Sequence, residues 1–407
     1  MASRRPRAVG RDPRYRPMSV PADSERGLLE AVRRIAEEVA AAAADDVDRN
    51  ARFPAEALEA LRGAGALSAA VPEALGGQGA SLETIARCCF ELGRRCSSTA
   101  MVFAMHQIQV LTIARHLDGA PWFESYLREL HQEQRLIASA TSEVGTGGDM
   151  SRSIAAATPE GEGVLSFEKQ APTVSYGAHA DDLLTTLRRT PDAEPGDQVL
   201  ALTKSGQAEL EPAGAWDTLG MRGTCSPGFL VRARFASEQV LAAPFAEVMN
   251  QSMVPLSHIL WSHVWLGIAT DAFERARAFL RASARRRPGE PLPAAARLSH
   301  VMAELTLLRG EVSQALHDFQ ADDVDDRARL MTMASVLRFN NLKLAASEHA
   351  PSVCAGALEV VGIVGYRNDT PYSVGRHLRD ALSARLMVAN ERLHATDAAL
   401  LLIAKEP

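Results

Sequence analysis

The chain has no Cys-x-x-Cys pair, and its 5 cysteines are an odd number. A complete disulfide framework and a cysteine-built zinc site are thereby excluded from expectation. Cys88, Cys89, Cys96, Cys225 and Cys354 read as reduced thiols of a cytoplasmic protein, with Cys88 and Cys89 packed inside a helical pattern. No apolar run reaches membrane-spanning length, and no apolar stretch follows the arginines near the start, so neither a membrane segment nor a secretory leader is expected. Neither charge sign dominates: 44 Lys+Arg stand against 50 Asp+Glu, a net −6. Nucleic acid and anionic membranes are therefore not expected partners. Aromatic residues are scarce at 5%, and the alanine-rich stretches point to a mostly helical body.

What is present suits a soluble enzyme. The 407 residues are 46% hydrophobic and 23% charged, enough to bury two or three packed units. Residues 1–23 carry Arg4, Arg5, Arg7, Arg11, Arg14 and Arg16 among prolines. They read as a disordered basic tail, the alternative being a nucleic-acid or targeting arm. From 24 to 137 the spacing is helical, as in the stripe Leu28-Leu29, Val32, Ile35, Val39. Pro54 opens a further helix and Ser81-Leu82-Glu83 another, with the turn-rich Val71–Gly79 between them.

From 138 to 245 short β-like runs (Ala155–Ala157, Val164–Phe167, Leu183–Leu187, Gln198–Leu202, Phe229–Phe235) alternate with Gly, Pro and Asp. Helical spacing returns over 246–407, broken at 287–293 and near 361–370. The expected fold is mainly α with a central β domain: an N-terminal helical domain, a middle antiparallel β-barrel domain and a C-terminal helical bundle.

Four motifs then carry a resemblance. Val71–Gly79 resembles the "vPeeyGGxG" loop of the acyl-CoA dehydrogenase superfamily, and Ser139–Asp149 is similar to its "TEPgaGSD" signature. Gly220–Ser226 resembles its "GvRgT" turn; Val361–Tyr366 with Arg379-Asp380-Ala381 resembles its "lGGxGy…RDa". They come in the family's order and span about residues 30–395.

The resemblance implies a four-helix C-terminal bundle and a flavin, FAD or, in a monooxygenase, FMN. It places Thr141 and Ser142 beside the ring, with Gly145, Gly147 and Gly148 letting the backbone approach a bulky ligand. The other reading of these glycines is a plain turn between elements. Gly362, Asn390 and Arg285 are the remaining implied cofactor contacts. Arg285 would reach the flavin of a neighbouring subunit in a homodimer or homotetramer; otherwise it is a solvated helix end. The family's other flavin-contacting glutamines correspond to Ala296 and Glu359.

Departures from the family pattern decide what chemistry is open. In many members the α-proton is removed by a glutamate nine residues after the arginine of Arg-Asp-Ala; here that position is Val388, and a second known position falls on Ser257. The run Lys169–Asp181 lacks the dehydrogenases' aromatic, Ala171 standing in its place. It is more similar to the "W-x-F-x-S-G-x-x-H-A-D" run of flavin-dependent monooxygenases such as dibenzothiophene monooxygenase, matching it at Ser175 and His179. Thr173 or Ser175 is then expected near the flavin, and otherwise in a turn.

His106, His258 and Glu391 are the candidate acid–base groups. Against these stand a satisfied core histidine for His106 and a helix-capping or ion-pair role for Glu391. No metal is expected.

Three functions remain open. The first is oxidation of the Cα–Cβ bond of an acyl thioester, with an electron-transfer flavoprotein as partner. The second is a two-component monooxygenase fed reduced flavin by a reductase, and the third a catalytically silent paralogue.

Overall fold

The computed structural model describes residues 23–403; the arginine-rich start therefore lies outside the described residues. Helices run from α1 (Asp23–Ile35) through α2 (Ala41–Arg49), α3 (Ala55–Gly63), α4 (Leu82–Gly93), α5 (Ser97–Ala114) and α6 (Pro121–Glu133). Seven strands follow: β1 (Ile137–Ala140), β2 (Thr158–Pro159), β3 (Val164–Ala171), β4 (Asp182–Arg188), β5 (Gln198–Lys204), β6 (Ala208–Pro212) and β7 (Phe229–Ala236). The last part comprises α7 (Phe245–Val248), α8 (Val254–Arg286), α9 (Ala294–Asp325), α10 (Met333–Val361), α11 (Ile363–Tyr366), α12 (Gly375–Leu382) and α13 (Asn390–Leu401).

The expected class, mainly helical with a central antiparallel β region, is the one observed. The strands form two sheets, ordered β1-β4-β5 and β2-β3-β7-β6. All pairs are antiparallel except β1 with β4, where Ile137 faces Asp182 and Ala140 faces Thr185. A parallel partner needs a long crossover, and residues 141–181 supply it, carrying the glycine-rich motif. β4 is buried over Asp182–Leu187, whereas β3 and β7 alternate in burial from one residue to the next over most of their length, as one-faced strands do.

Local chemistry sets several boundaries. The Ser81 hydroxyl accepts from Thr84 N at 3.3 Å and caps α4. Pro121 stands at the start of α6, where its missing N–H costs nothing. At the start of α5, Ser97 donates to the Asp380 carboxylate, and no side chain caps the helix.

The core centres on α8, which packs against α4, α5, α9, α10 and α12. Two glycines let α4 and α8 meet backbone to backbone. A Cβ on Gly267 would lie 2.5 Å from Phe90 O, and one on Gly93 would lie 2.6 Å from Val264 O. A second seam joins two of the family-like motifs: Asp380 Oδ1 accepts from Met221 N at 2.7 Å, and a Cβ on Gly220 would lie 2.2 Å from Arg379 O. These two motifs hold the β region against the C-terminal helices.

Removing a glycine from a helix ordinarily adds about 1 kcal/mol of stability. At Gly267 overpacking outweighs that gain, and Gly267→Ala is expected to cost about 1–3 kcal/mol in urea unfolding. Gly310→Ala on α9, where a Cβ meets nothing within 4 Å, is expected to be neutral or stabilising in the same assay.

Candidate active site

The candidate site assembled from the sequence motifs starts where β1 ends. Thr141 O accepts from Thr186 Oγ1 at 3.4 Å. Ser142 Oγ donates to Thr173 O at 3.1 Å and lies 3.4 Å from Thr173 Oγ1, so Ser142 and Thr173 form one hydroxyl pair at the surface. Glu143 turns inward and accepts from Ser153 Oγ, Ile154 N and Ala155 N at 2.7–2.9 Å. Burial would raise its pKa; Lys169, 3.5 Å away, and those donors hold it below the ordinary value instead. This carboxylate pins the base of the loop. Its crest, Gly145, Gly147 and Gly148, is exposed, with φ of 94°, 64° and 78°.

Against that crest lies Arg392, on the first turn of α13. Its Nη1 is 3.4 Å from Gly147 O and would be 3.0 Å from a Cβ on Gly148. The C-terminal segment and the glycine loop therefore meet at Arg392, and the surface beside that contact, with Ser142 and Thr173 at the loop's foot, is the candidate crevice.

Val388 adopts φ +48°, a left-handed conformation that disfavours a β-branched residue. What holds it there is Lys343, whose buried Nζ donates to Val388 O at 2.8 Å and to Asn390 Oδ1 at 2.5 Å. Asn390 also bonds Ser347 Oγ at 3.0 Å and Glu348 Oε1 at 3.0 Å, so its amide serves the protein itself and Ala389 takes the cap position of α13. Glu348 in turn holds Arg385 at 2.5 Å. Burial lowers the Lys343 pKa to about 8.

The other candidates lie in varied settings. His106 is fully buried with both nitrogens engaged: Nε2 donates to Leu67 O at 2.7 Å and Nδ1 accepts from Ile137 N at 3.0 Å. Burial lowers its pKa to about 4, which leaves a neutral ring tying α5 to β1. His258 Nδ1 donates to Phe339 O at 2.9 Å, and burial takes this ring to about 4 as well. Glu391 is exposed in the first turn of α13, where a carboxylate favours the helix dipole.

Ser175 accepts from Ser226 Oγ at 2.9 Å, in a hydroxyl chain reaching Thr224. His179 is stacked on Phe53 at 4.2 Å. Arg285 is exposed near the end of α8, bonded to Arg281 O at 3.3 Å. Gly362, with φ +68°, ends α10 beside open space. Glu359 pairs with Arg297.

Sequence reasoning missed Lys343, Glu348 and Arg392. Lys343 had a signal: it shares the stripe Phe339, Ala346, Ala350, Val353, Ala357, all buried. Arg392 had none, since it meets the glycine loop only in three dimensions.

Lys169 and Lys343 are both drawn down to about 8 from 10.5, by burial. Between those values the unfolded chain binds protons that the folded chain does not, so their contribution to stability rises with pH. The stability difference between wild type and Lys343→Met cancels the tyrosines and cysteines. It is expected to shift in favour of wild type as pH rises from 8 to 10.5, measured by urea midpoints.

Comparison with known proteins places this geometry. Residues 22–118 match the family model "Acyl-CoA dehydrogenase, N-terminal domain" and residues 250–388 match "Acyl-CoA dehydrogenase, C-terminal domain". The chain is 26% identical to the cyclohex-1-ene-1-carbonyl-CoA dehydrogenase of Syntrophus aciditrophicus (strain SB), over 91% of this chain and 88% of that one. It is 27% identical to the amino sugar nitrososynthase DnmZ of Streptomyces peucetius, over 84% of each. The FMN-bound TdsC of Paenibacillus sp. A11-2 superposes with a TM-score of 0.77 at 19% identity, covering 95% of this chain and 98% of that one. The chain belongs to the acyl-CoA dehydrogenase family of flavin-dependent oxidoreductases.

Proposed function

We propose that this chain is the oxygenase half of a two-component flavin-dependent monooxygenase, fed reduced flavin by a partner reductase and acting on a small-molecule substrate. The observation that carries the reading is the Lys343–Val388 contact. Oxidising a thioester at Cα–Cβ requires a base at the α-carbon, and where the family's glutamate stands this chain offers an isopropyl group, on a residue whose backbone carbonyl is held by a buried lysine. A carboxylate is no prerequisite for oxygen transfer. When bound, reduced flavin supplies two electrons to O2, one oxygen atom passing to the substrate and the other leaving as water.

The chain's own groups fit such a cofactor. Ser142 and Thr173 present hydroxyls at the crevice, and Gly145, Gly147 and Gly148, which carry no Cβ, let a phosphate approach the backbone. Arg392 offers a forked donor beside that loop. The Glu359–Arg297 pair, where the family has a glutamine on the adenine side, supports FMN over FAD. Arg285, with its guanidinium in solvent, is free to serve a neighbouring subunit's flavin in a homodimer or homotetramer.

A second reading, oxidation of an acyl thioester with an electron-transfer flavoprotein as acceptor, is supported by the cyclohex-1-ene-1-carbonyl-CoA dehydrogenase match over 91% of the chain. It requires a base outside the family position, from His258, Glu391 or Glu348.

Straight-chain acyl-CoAs are expected to leave the absorbance of the oxidised flavoprotein unchanged under anaerobic conditions, and Val388→Glu to restore some bleaching. The missing base accounts for roughly 10²–10⁴ in rate. Rapid bleaching by wild type selects the second reading. Flavin binding itself is tested by thermal shift: FMN or FAD at about 100 times Kd should add roughly 2.7 kcal/mol. Arg285→Ala should weaken flavin retention while leaving the urea midpoint of the flavin-free protein in place.

A further inference from the structure

A groove of about 600 Å³ lies between α9, α10 and α13, and it shares no residue with the crevice described above. Its walls are apolar at Leu344, Ala345, Ala398 and Leu401, and its ionisable residues are Glu311, His394 and Asp397. We propose that it binds an organic amine, a small molecule carrying a protonated ammonium group on an apolar body.

The inference starts from Asp397. This residue is 6% exposed and lines the groove from α13. Its Oδ1 accepts from Asn340 Nδ2 at 2.7 Å, and its Oδ2 has no hydrogen-bond partner among the described residues. A carboxylate accepts at both oxygens, and a buried one left without a donor is destabilising. Burial raises the Asp397 pKa, and Asn340 and His394 only partly offset that effect. This side chain lacks one donor, and the open space it borders is the groove.

Glu311 brings the second carboxylate, and the packing of α9 on α10 shows why it is unpaired. Ion pairs fix the register of these two helices: Glu304 meets His349 at 3.1 Å, and Asp318 and Asp322 meet Arg338 at 3.6 and 2.9 Å. Between these rungs Glu311 comes opposite the stretch Asn341–Ala345, which lines the groove with an amide, a leucine and a methyl group. Glu311 makes no ion pair or hydrogen bond from its side chain among the described residues. The neighbouring cations are committed elsewhere. Arg338 serves Asp318 and Asp322, Lys343 donates to Val388 O and Asn390 Oδ1, and Arg392 lies on Gly147 O. Arg309, two residues from Glu311, cannot share its face of α9. No lysine or arginine lines the groove. Two carboxylates and a histidine beside apolar walls suit an ammonium group with a hydrocarbon body, in a space of the size that small ligands fill.

The test uses the flavin-loaded protein and hexylammonium chloride as the probe, titrated by calorimetry, with 1-hexanol and ammonium chloride as controls for the body and the charge alone. Saturable binding of hexylammonium at about one site per chain is expected, with the flavin spectrum unchanged. Asp397→Asn keeps an acceptor for Asn340 and removes the charge, and Glu311→Gln changes an exposed side chain. Each should weaken binding roughly tenfold or more. Absence of saturable binding would overturn the proposal. So would affinity unchanged in either variant, or 1-hexanol binding as tightly as hexylammonium. A flavin spectrum perturbed by the probe equally in wild type and both variants would also overturn it, since the amine would then sit in the flavin crevice.

Discussion

Lys343 is the residue on which the rest of the site depends. An ammonium group can be buried only if its charge is met by acceptors, and two of the acceptors here are Val388 O and Asn390 Oδ1. Meeting that demand fixes the segment between α12 and α13, holds Val388 in a left-handed conformation and commits the Asn390 amide to the interior. The start of α13 is set as a consequence, and with it the placement of Arg392 against the glycine loop. One buried charge thus organises the wall of the crevice, and it bears the sign opposite to that of the base used by many relatives.

The rest of the fold makes this wall rigid. α10, which carries Lys343, packs along α8, and α8 meets α4 through glycines at backbone distance. His106 bridges α5 to the first residue of β1, and Glu143 anchors the loop that leaves β1. The polar groups that are most deeply buried act as joints between elements. Ser142 and Thr173, by contrast, pair with each other at the surface.

Much of this was legible in the sequence. Periodicity distinguished helical from β segments because each element buries one face, and the breaks at 287–293 and after Val361 fall where the helices end. Three strands escaped, among them β2, which begins just after the run Ala155–Ala157, where Ala156 makes only an isolated bridge. β1 is four residues of Ile, Ala and Ser with no polar alternation, and β6 is an edge strand carrying two glutamates and a proline, residues that strands disfavour. The pairing of Ser142 with Thr173, about thirty residues apart, followed from the two motifs only by resemblance. Lys343 was hidden by habit, since a lysine in a helix usually faces water; its spacing from Phe339 and Ala346 placed it in the core.

The central claim is that no base reaches the α-carbon of a thioester in this crevice, and hydrogen exchange tests it most directly. Flavoprotein and straight-chain acyl-CoAs are incubated anaerobically in D2O, and deuterium at the α-carbon is followed by proton NMR. A base in reach would take the proton and return deuterium whether or not the flavin is reduced. Exchange at the rate of the protein-free control is the expected result. Exchange well above that control, abolished by changing His258, Glu348 or Glu391, would contradict the account and return the chain to the dehydrogenases.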